Sequence, residues 1–200
     1  MDVYPKSLEG CRLCPRLAEF REKRAKEKRR AYKHETYWGK PVPGFGDLSA
    51  RMMILGLAPG AHGSNRTGRP FTGDSSGNFL YAALHRAGFA NQPTSVSRDD
   101  GLVLKDVWIT ASARCVPPDN KPSRDEVATC RRWLEHDFSL LNNLKLVLAL
   151  GGIAHDAYLE VLKVRGHKII KGNYPFAHGA FHEIENALPL LDAYHVSFQN

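Results

Sequence analysis

The chain has 200 residues, is 42% hydrophobic, and carries a formal net charge of +7 from 28 Lys+Arg against 21 Asp+Glu, with 12 Pro, 17 Gly and 4 Cys. That length suits one core-bearing domain, the apolar fraction excludes wholesale disorder, and no run of about 18 apolar residues is present to span a membrane. The polar, Cys-bearing start MDVYPKSLEGCRLC lacks the pattern of a signal peptide, which points to the cytoplasm, where thiols stay reduced and four cysteines suggest a metal or cluster site rather than two disulfides.

The spacing of Leu17, Phe20, Arg24 and Lys28, with Pro15 at the first helical position, predicts a helix over 15–33. Residues 1–40 hold 12 of the basic residues against 6 acids, so nearly all the excess charge lies there. Arg21, Lys23, Arg24, Lys26, Lys28, Arg29, Arg30 and Lys33 form either a solvated face partnered by Glu22 and Glu27 or a contact surface for a phosphate backbone. Residues 34–50 read as irregular. Met52–Leu55 is a short strand, 58–75 a long Gly/Pro/Asn loop, and 76–87 an amphipathic helix. Val107–Thr110 is a second strand. Ser123 to Glu126 is a capping box opening a helix to about Leu141. Leu146–Leu150, continuously apolar, is a buried third strand. Gly151–Gly152 leads into a helix through Leu162, and a fourth strand runs from Leu190 to Tyr194. This alternation predicts one three-layer α/β domain with a mostly parallel, four-stranded sheet. The chain ends six residues after that strand, where a covering helix, or a partner supplying one, is expected.

Ligands of open α/β sheets bind beyond the carboxyl ends of the strands. Three polar segments fall there: GLAPGAHGSNRTGRPFTGD from Gly56, ARCVPPDNKP from Ala113, and HVSFQN from His195. The first is glycine-rich but lacks the closing Gly-Lys-Ser/Thr of a P-loop and the spacing of a dinucleotide fingerprint. Phe71, in polar company, suits stacking on a planar ring or plugging the core. Asp74 suits an N-cap for the helix that follows and also an electrostatic role. His62 and His178 stand in Gly-bounded polar loops; His155, His167 and His182 read as structural. Cys11 and Cys14 have a chelating C-x2-C spacing, while Cys115 and Cys130 do not complete a zinc ribbon, so zinc and iron–sulfur both remain open.

Together the three segments and the four-cysteine layout resemble the family 5, iron–sulfur type of uracil-DNA glycosylase, over nearly the whole chain. The resemblance implies a single α/β/α domain over 1–200 and a structural [4Fe-4S] cluster on Cys11, Cys14, Cys115 and Cys130, tying on the basic N-terminal helix. It implies a monomeric cytosolic DNA-repair enzyme, acting at the nucleoid on single- and double-stranded DNA that contains deaminated bases. Uracil, and with it hypoxanthine and xanthine, would be flipped out and excised by hydrolysis of the N-glycosidic bond, leaving an abasic site. His195, Asp74 and Asn120 would be catalytic; Ala58, Pro59, Gly60 and Phe71 would hold the base. Arg24, Lys28, Arg29, Asn65, Arg66, Ser197, Gln199 and Asn200 would contact DNA. Where the sister type 4 has an acidic residue after the first glycine of GEAPG, this sequence has Leu57, which leaves Asp74 as the nearest carboxylate to orient water. The alternatives are a noncatalytic, zinc-held nucleic-acid binder and a relative that attaches covalently through a histidine.

Overall fold

The structure, a computed structural model, describes residues 4–197. Its helices are α1 (Lys6–Glu9), α2 (Pro15–Lys26), α3 (Ser64–Thr67), α4 (Ser75–Arg86), α5 (Arg124–Leu140) and α6 (Gly152–Val164). Its strands are β1 (Phe45–Gly46), β2 (Met52–Gly56), β3 (Val107–Ala111), β4 (Leu146–Leu150), β5 (Phe181–His182) and β6 (Leu190–Ala193). They form one sheet in the order β1-β3-β2-β4-β6-β5. The four strands expected from sequence are its parallel centre, with Met52 opposite both Val107 and Leu146. The sheet has six strands rather than four, because β1 and β5 add antiparallel edges. Each is two residues long, too short for any alternation to show.

Side-chain alternation builds two apolar layers. Met53, Leu55, Trp108, Val147, Ala149 and Leu190 face Leu134 of α5 and Tyr158, Leu159 and Leu162 of α6, with Leu8 of α1 against them. Ile54, Val107, Ile109 and Leu150 face Leu80, Tyr81 and Leu84 of α4, with Leu102 and Leu104. Burial on both sides explains why the central strands read as unbroken apolar runs.

The first long helix ends at Lys26, short of the predicted 33, and a separate turn covers Arg30–Tyr32. Its buried stripe is Leu17, Ala18 and Arg21, and the five residues after Ala25 are all charged, so no apolar side chain is there to dock the next turn. The capping box of α5 forms as expected: Ser123 Oγ accepts from the Glu126 amide, and the Glu126 carboxylate accepts from the Ser123 amide. Among the described residues, no helix is long and apolar enough to cross a membrane.

Candidate active site

The chain leaves β2 and β4 in opposite directions, so a crevice opens at the carboxyl edge of the sheet between them. A cavity of about 710 Å³ lies there, within the ordinary range for small-molecule sites. The β2 loop lines it with Leu57–Gly60, Phe71 and Asp74, the β3 loop with Asp119–Lys121, and the β6 end with His195 and Ser197. The three polar segments of the sequence thus converge on one space. Gln199 and Asn200 lie outside the described residues.

Asp74 caps α4: its Oδ1 accepts from the Gly77 amide at 2.9 Å. Its other oxygen turns back over the β2 loop, where a Cβ on Gly63 would meet it at 1.9 Å. Only glycine allows this approach. Burial raises the Asp74 pKa, against the pull of the Gly77 amide and the nearby His195. His195 is shifted the other way: burial lowers its pKa, and Asp74 partly restores it. The pair therefore offers a carboxylate of enhanced basicity and a neutral imidazole near pH 7.

Phe71 adopts a left-handed backbone, φ 49°, unusual for an aromatic residue. Its ring lies over Gly56, where a Cβ would come within 2.9 Å of Cζ, and its centroid is 6.2 Å from that of His195. The flanking residues hold this conformation. Tyr81 donates its hydroxyl to the Pro70 carbonyl at 2.8 Å. The buried Arg69 reaches Thr72 Oγ1 at 3.0 Å, Ser95 Oγ at 2.7 Å and the Asp100 carboxylate at 2.7 Å. Burial opposes ionisation of Asp100, yet the Arg69 bond and backbone amides hold it down to about 2. Sequence reading missed Arg69 because a lone arginine in a loop looks like a surface cation. Its place in the RPFT run, next to Phe71, was the available signal.

Asn120 is exposed at the cavity mouth and, like Asp119, has positive φ, at 54° and 52°. Arg16 of α2 fastens this turn. Its guanidinium donates to the Lys121 carbonyl at 3.2 Å and to both oxygens of Glu126 at 2.8 and 2.6 Å. Arg16 also escaped the sequence reading, since it lies outside the dense charge run.

Two residues expected at the DNA surface belong to the interior. Asn65 is fully buried and donates to the Arg21 carbonyl at 3.2 Å. Arg66, 9% exposed, lies over the Tyr32 ring and bonds the His62 and Gly73 carbonyls and Glu35. Both brace the β2 loop from within and offer nothing to phosphates. Arg21 also leaves the presumed basic face: it is 3% exposed and donates to Cys115 Sγ at 2.9 Å. Arg24 lies over Phe20 and pairs with Glu27 at 3.0 Å, whereas Lys28 and Arg29 form no ion pair among the described residues. His62 accepts or donates with the Tyr37 hydroxyl at 2.9 Å, and burial followed by Arg29 and Arg24 lowers its pKa, which sets those cations beside the β2 loop.

All four cysteines are free thiols lining one small cavity behind the β3 loop, together with Arg21, Arg114 and Trp133. Burial raises the pKa of Cys14 and Cys115 and pushes Cys130 up to about 12. Nitrogens of both arginines, Arg21 Nε and Arg114 Nε and Nη1, are buried without hydrogen-bond partners. The Arg114 amide donates to Cys130 Sγ at 3.2 Å. Four sulfur donors surrounded by unspent N–H groups suit an anionic sulfur-rich group. Among the described residues, no three of the sulfurs all lie within 4.8 Å of one another, whereas sulfurs sharing one tetrahedral ion at about 2.3 Å would lie closer than that.

Fold and site together define a doubly wound α/β protein with a cavity at its switch point that sets a carboxylate and an imidazole among mostly apolar walls, an aromatic ring included. A family profile described as the Uracil DNA glycosylase superfamily matches residues 43–200, and the chain belongs to that family. It is 49% identical over 199 residues to a type-5 uracil-DNA glycosylase of Thermus thermophilus, covering 100% of this chain and 88% of that one. It is 47% identical over 191 residues to a type-5 uracil-DNA glycosylase of Mycobacterium leprae, covering 95% and 82%. A type-4 uracil-DNA glycosylase of Pyrobaculum aerophilum is 36% identical over 139 residues, covering 68% and 63%.

Proposed function

We propose that this chain removes uracil from DNA by hydrolysing the N-glycosidic bond, leaving an abasic site, and that hypoxanthine and xanthine enter the same cavity. The observation carrying the proposal is the convergence of Asp74, His195 and Phe71 on one space at the carboxyl edge of the sheet. A base inside a duplex is out of reach, so the nucleotide must be flipped, at a cost of a few kcal/mol. Lys28 and Arg29 hold phosphates, and Ser197, Gln199 and Asn200 contact the DNA as well.

Phe71 stacks on the base, and the Asn120 amide, which both donates and accepts, reads its edge. Backbone groups of Ala58, Pro59 and Gly60 complete the cradle. Bond cleavage leaves negative charge on the base and positive charge on the sugar. His195, neutral near pH 7, donates to the base oxygen as that charge develops, while ionised Asp74 orients the attacking water and faces the sugar cation. Leu57, Ala58 and Pro59 bring no polar side chain against a two-ring base, which supports the wider substrate range.

Cys11, Cys14, Cys115 and Cys130 would hold a [4Fe-4S] cluster, which supplies a structural cross-link and no step of the hydrolysis. The protein works as a monomer on single- and double-stranded DNA, in the cytosol at the nucleoid. The test is a panel of oligonucleotides carrying uracil, hypoxanthine, xanthine or mismatched thymine, scored for alkali-labile abasic sites. Uracil excision is expected, with His195→Ala slower by about 10²–10³ in single turnover. Retention of DNA without cleavage by the wild type would make the chain a binding module, and a denaturant-resistant protein–DNA band would replace hydrolysis by covalent capture.

A further inference from the structure

Three residues before His195, Asp192 stands in β6 with its carboxylate fully buried. A buried carboxylate is costly without charged or hydrogen-bonded partners. Among the described residues, no lysine or arginine pairs with it, and its ion-pair partners are two imidazoles. His155 Nδ1, from α6, lies 2.9 Å from one oxygen, and His182 Nε2, from β5, lies 3.1 Å from the other. These ligand-type atoms all lie within 4.8 Å of one another, and none of the three residues lines the substrate cavity.

Proton accounting at His155 goes further. Its Nε2 lies 2.9 Å from the Tyr174 carbonyl oxygen, an acceptor only, so Nε2 carries a proton. A neutral imidazole then has a bare lone pair at Nδ1, yet Nδ1 faces a carboxylate oxygen. Two things cure that repulsion: a second proton, or a cation held between the nitrogen and the carboxylate. One ring nitrogen toward the cation, with the other N–H on a backbone carbonyl, is the usual setting of a metal-bound histidine. A second imidazole turned on the same carboxylate adds a ligand that protonation of His155 alone does not call for. Phe176 packs edge-on against His155, and Tyr174 edge-on against His182, fixing both rings.

We propose that His155, His182 and Asp192 bind one divalent transition-metal ion of the zinc class, at a site separate from the four thiols. Two nitrogens and a carboxylate suit zinc and its first-row neighbours over calcium or magnesium, which favour all-oxygen sets. His182, only partly buried, leaves an entry path. The ion joins α6, β5 and β6 and so braces the strand that delivers His195. The inference rests on hydrogen-bond geometry and is independent of the proposed excision.

The test is a metal count on the full-length protein, loaded with Zn2+ or Co2+ and dialysed against metal-free buffer, with iron measured in the same digest. The expected result is about one zinc per chain beyond any iron, lost in His182→Ala and Asp192→Asn with the iron unchanged. Bound cobalt should show ligand-field bands without the intense thiolate charge-transfer absorption that cysteine ligation gives. Nitrogen-15 spectra of the zinc-loaded wild type should show His155 Nδ1 without a proton; this readout stands even if a variant fails to fold. The proposal is overturned if the wild type retains neither metal, if cobalt shows thiolate bands alone, if both variants keep a full equivalent, or if both ring nitrogens of His155 stay protonated in the presence of zinc.

Discussion

At Asp74 one side chain ends a helix and faces the substrate cavity, and the two roles separate by substitution. Asn caps a helix as well as Asp does, whereas Ala does not. Asp74→Asn should therefore keep the fold and lose the rate, by about 10²–10⁴-fold if the carboxylate acts on the water. Asp74→Ala should lose the rate and also about 1 kcal/mol of stability. Because burial raises the carboxyl pKa above 3.8 in the folded state, folding favours its protonated form, and the ionised group costs stability as pH rises through that pKa. Thermal melts at neutral pH should accordingly place Asp74→Asn level with or above the wild type. The pH profile follows from the same shifts. The proposed mechanism has Asp74 ionised and His195 neutral, and both conditions are met as pH rises, the first above 3.8 and the second at a value below 6.5. Single-turnover rates should climb on the acid side and level off by neutrality. Asp74→Asn should retain the histidine limb alone; an unchanged two-group profile would remove Asp74 from the chemistry.

Among the elements, α2 reaches both α5 and the Asn120 turn at the catalytic edge through one arginine. Arg16 spans from α2 to the carboxylate of the α5 capping box and to the carbonyl of Lys121, next to Asn120. Glu126 keeps its capping bonds to Ser123 without Arg16, so Arg16→Ala should cost no more than about 1 kcal/mol in global stability. The Asn120 turn, with two consecutive left-handed residues, loses a tether, and KM for uracil DNA should rise several-fold with little change in the single-turnover rate. A fall in rate without a KM change would argue that the turn does not read the base. At this scale the sequence was most informative. The central strands were visible because burial on both sides leaves unbroken runs such as Leu146–Leu150, and α5 was visible because Ser123 and Glu126 are spaced to cap each other. The edge strands were hidden because two residues carry no period. Arg69 and Arg114 were hidden for a different reason: a buried arginine looks like a surface arginine until the fold supplies its carboxylate, Asp100 and Asp137 here, and the exposed Arg16 shows no role until the fold brings Glu126 to it.

For the whole molecule, the excess positive charge of the first forty residues resolves into two populations. Arg21 is spent on the thiol cavity, and Lys23 and Arg24 share Glu27, at 3.7 and 3.0 Å. Lys26, Lys28, Arg29 and Arg30 form no ion pair among the described residues, and Arg29 stands near His62 in the β2 loop. The solvated-face reading thus fits the ion-paired part of the helix, and the proposal of phosphate contact is carried by the segment after it. A cation that neutralises a phosphate releases a counterion, so the slope of log K against log salt changes by about 0.9 for each contact removed from duplex DNA. Lys28→Ala with Arg29→Ala should flatten that slope by about 2, and Arg24→Ala should change it by less, because Glu27 already offsets that charge. Net charge alone would make any two lysines equivalent. Lys105 and Lys145 provide the control: both are exposed, and they precede β3 and β4 at the amino edge of the sheet, away from the cavity. Substituting both should leave the slope nearly unchanged while altering net charge by the same amount. Equal slopes for the two double variants would mean that long-range attraction, rather than contact by the segment after α2, holds the DNA.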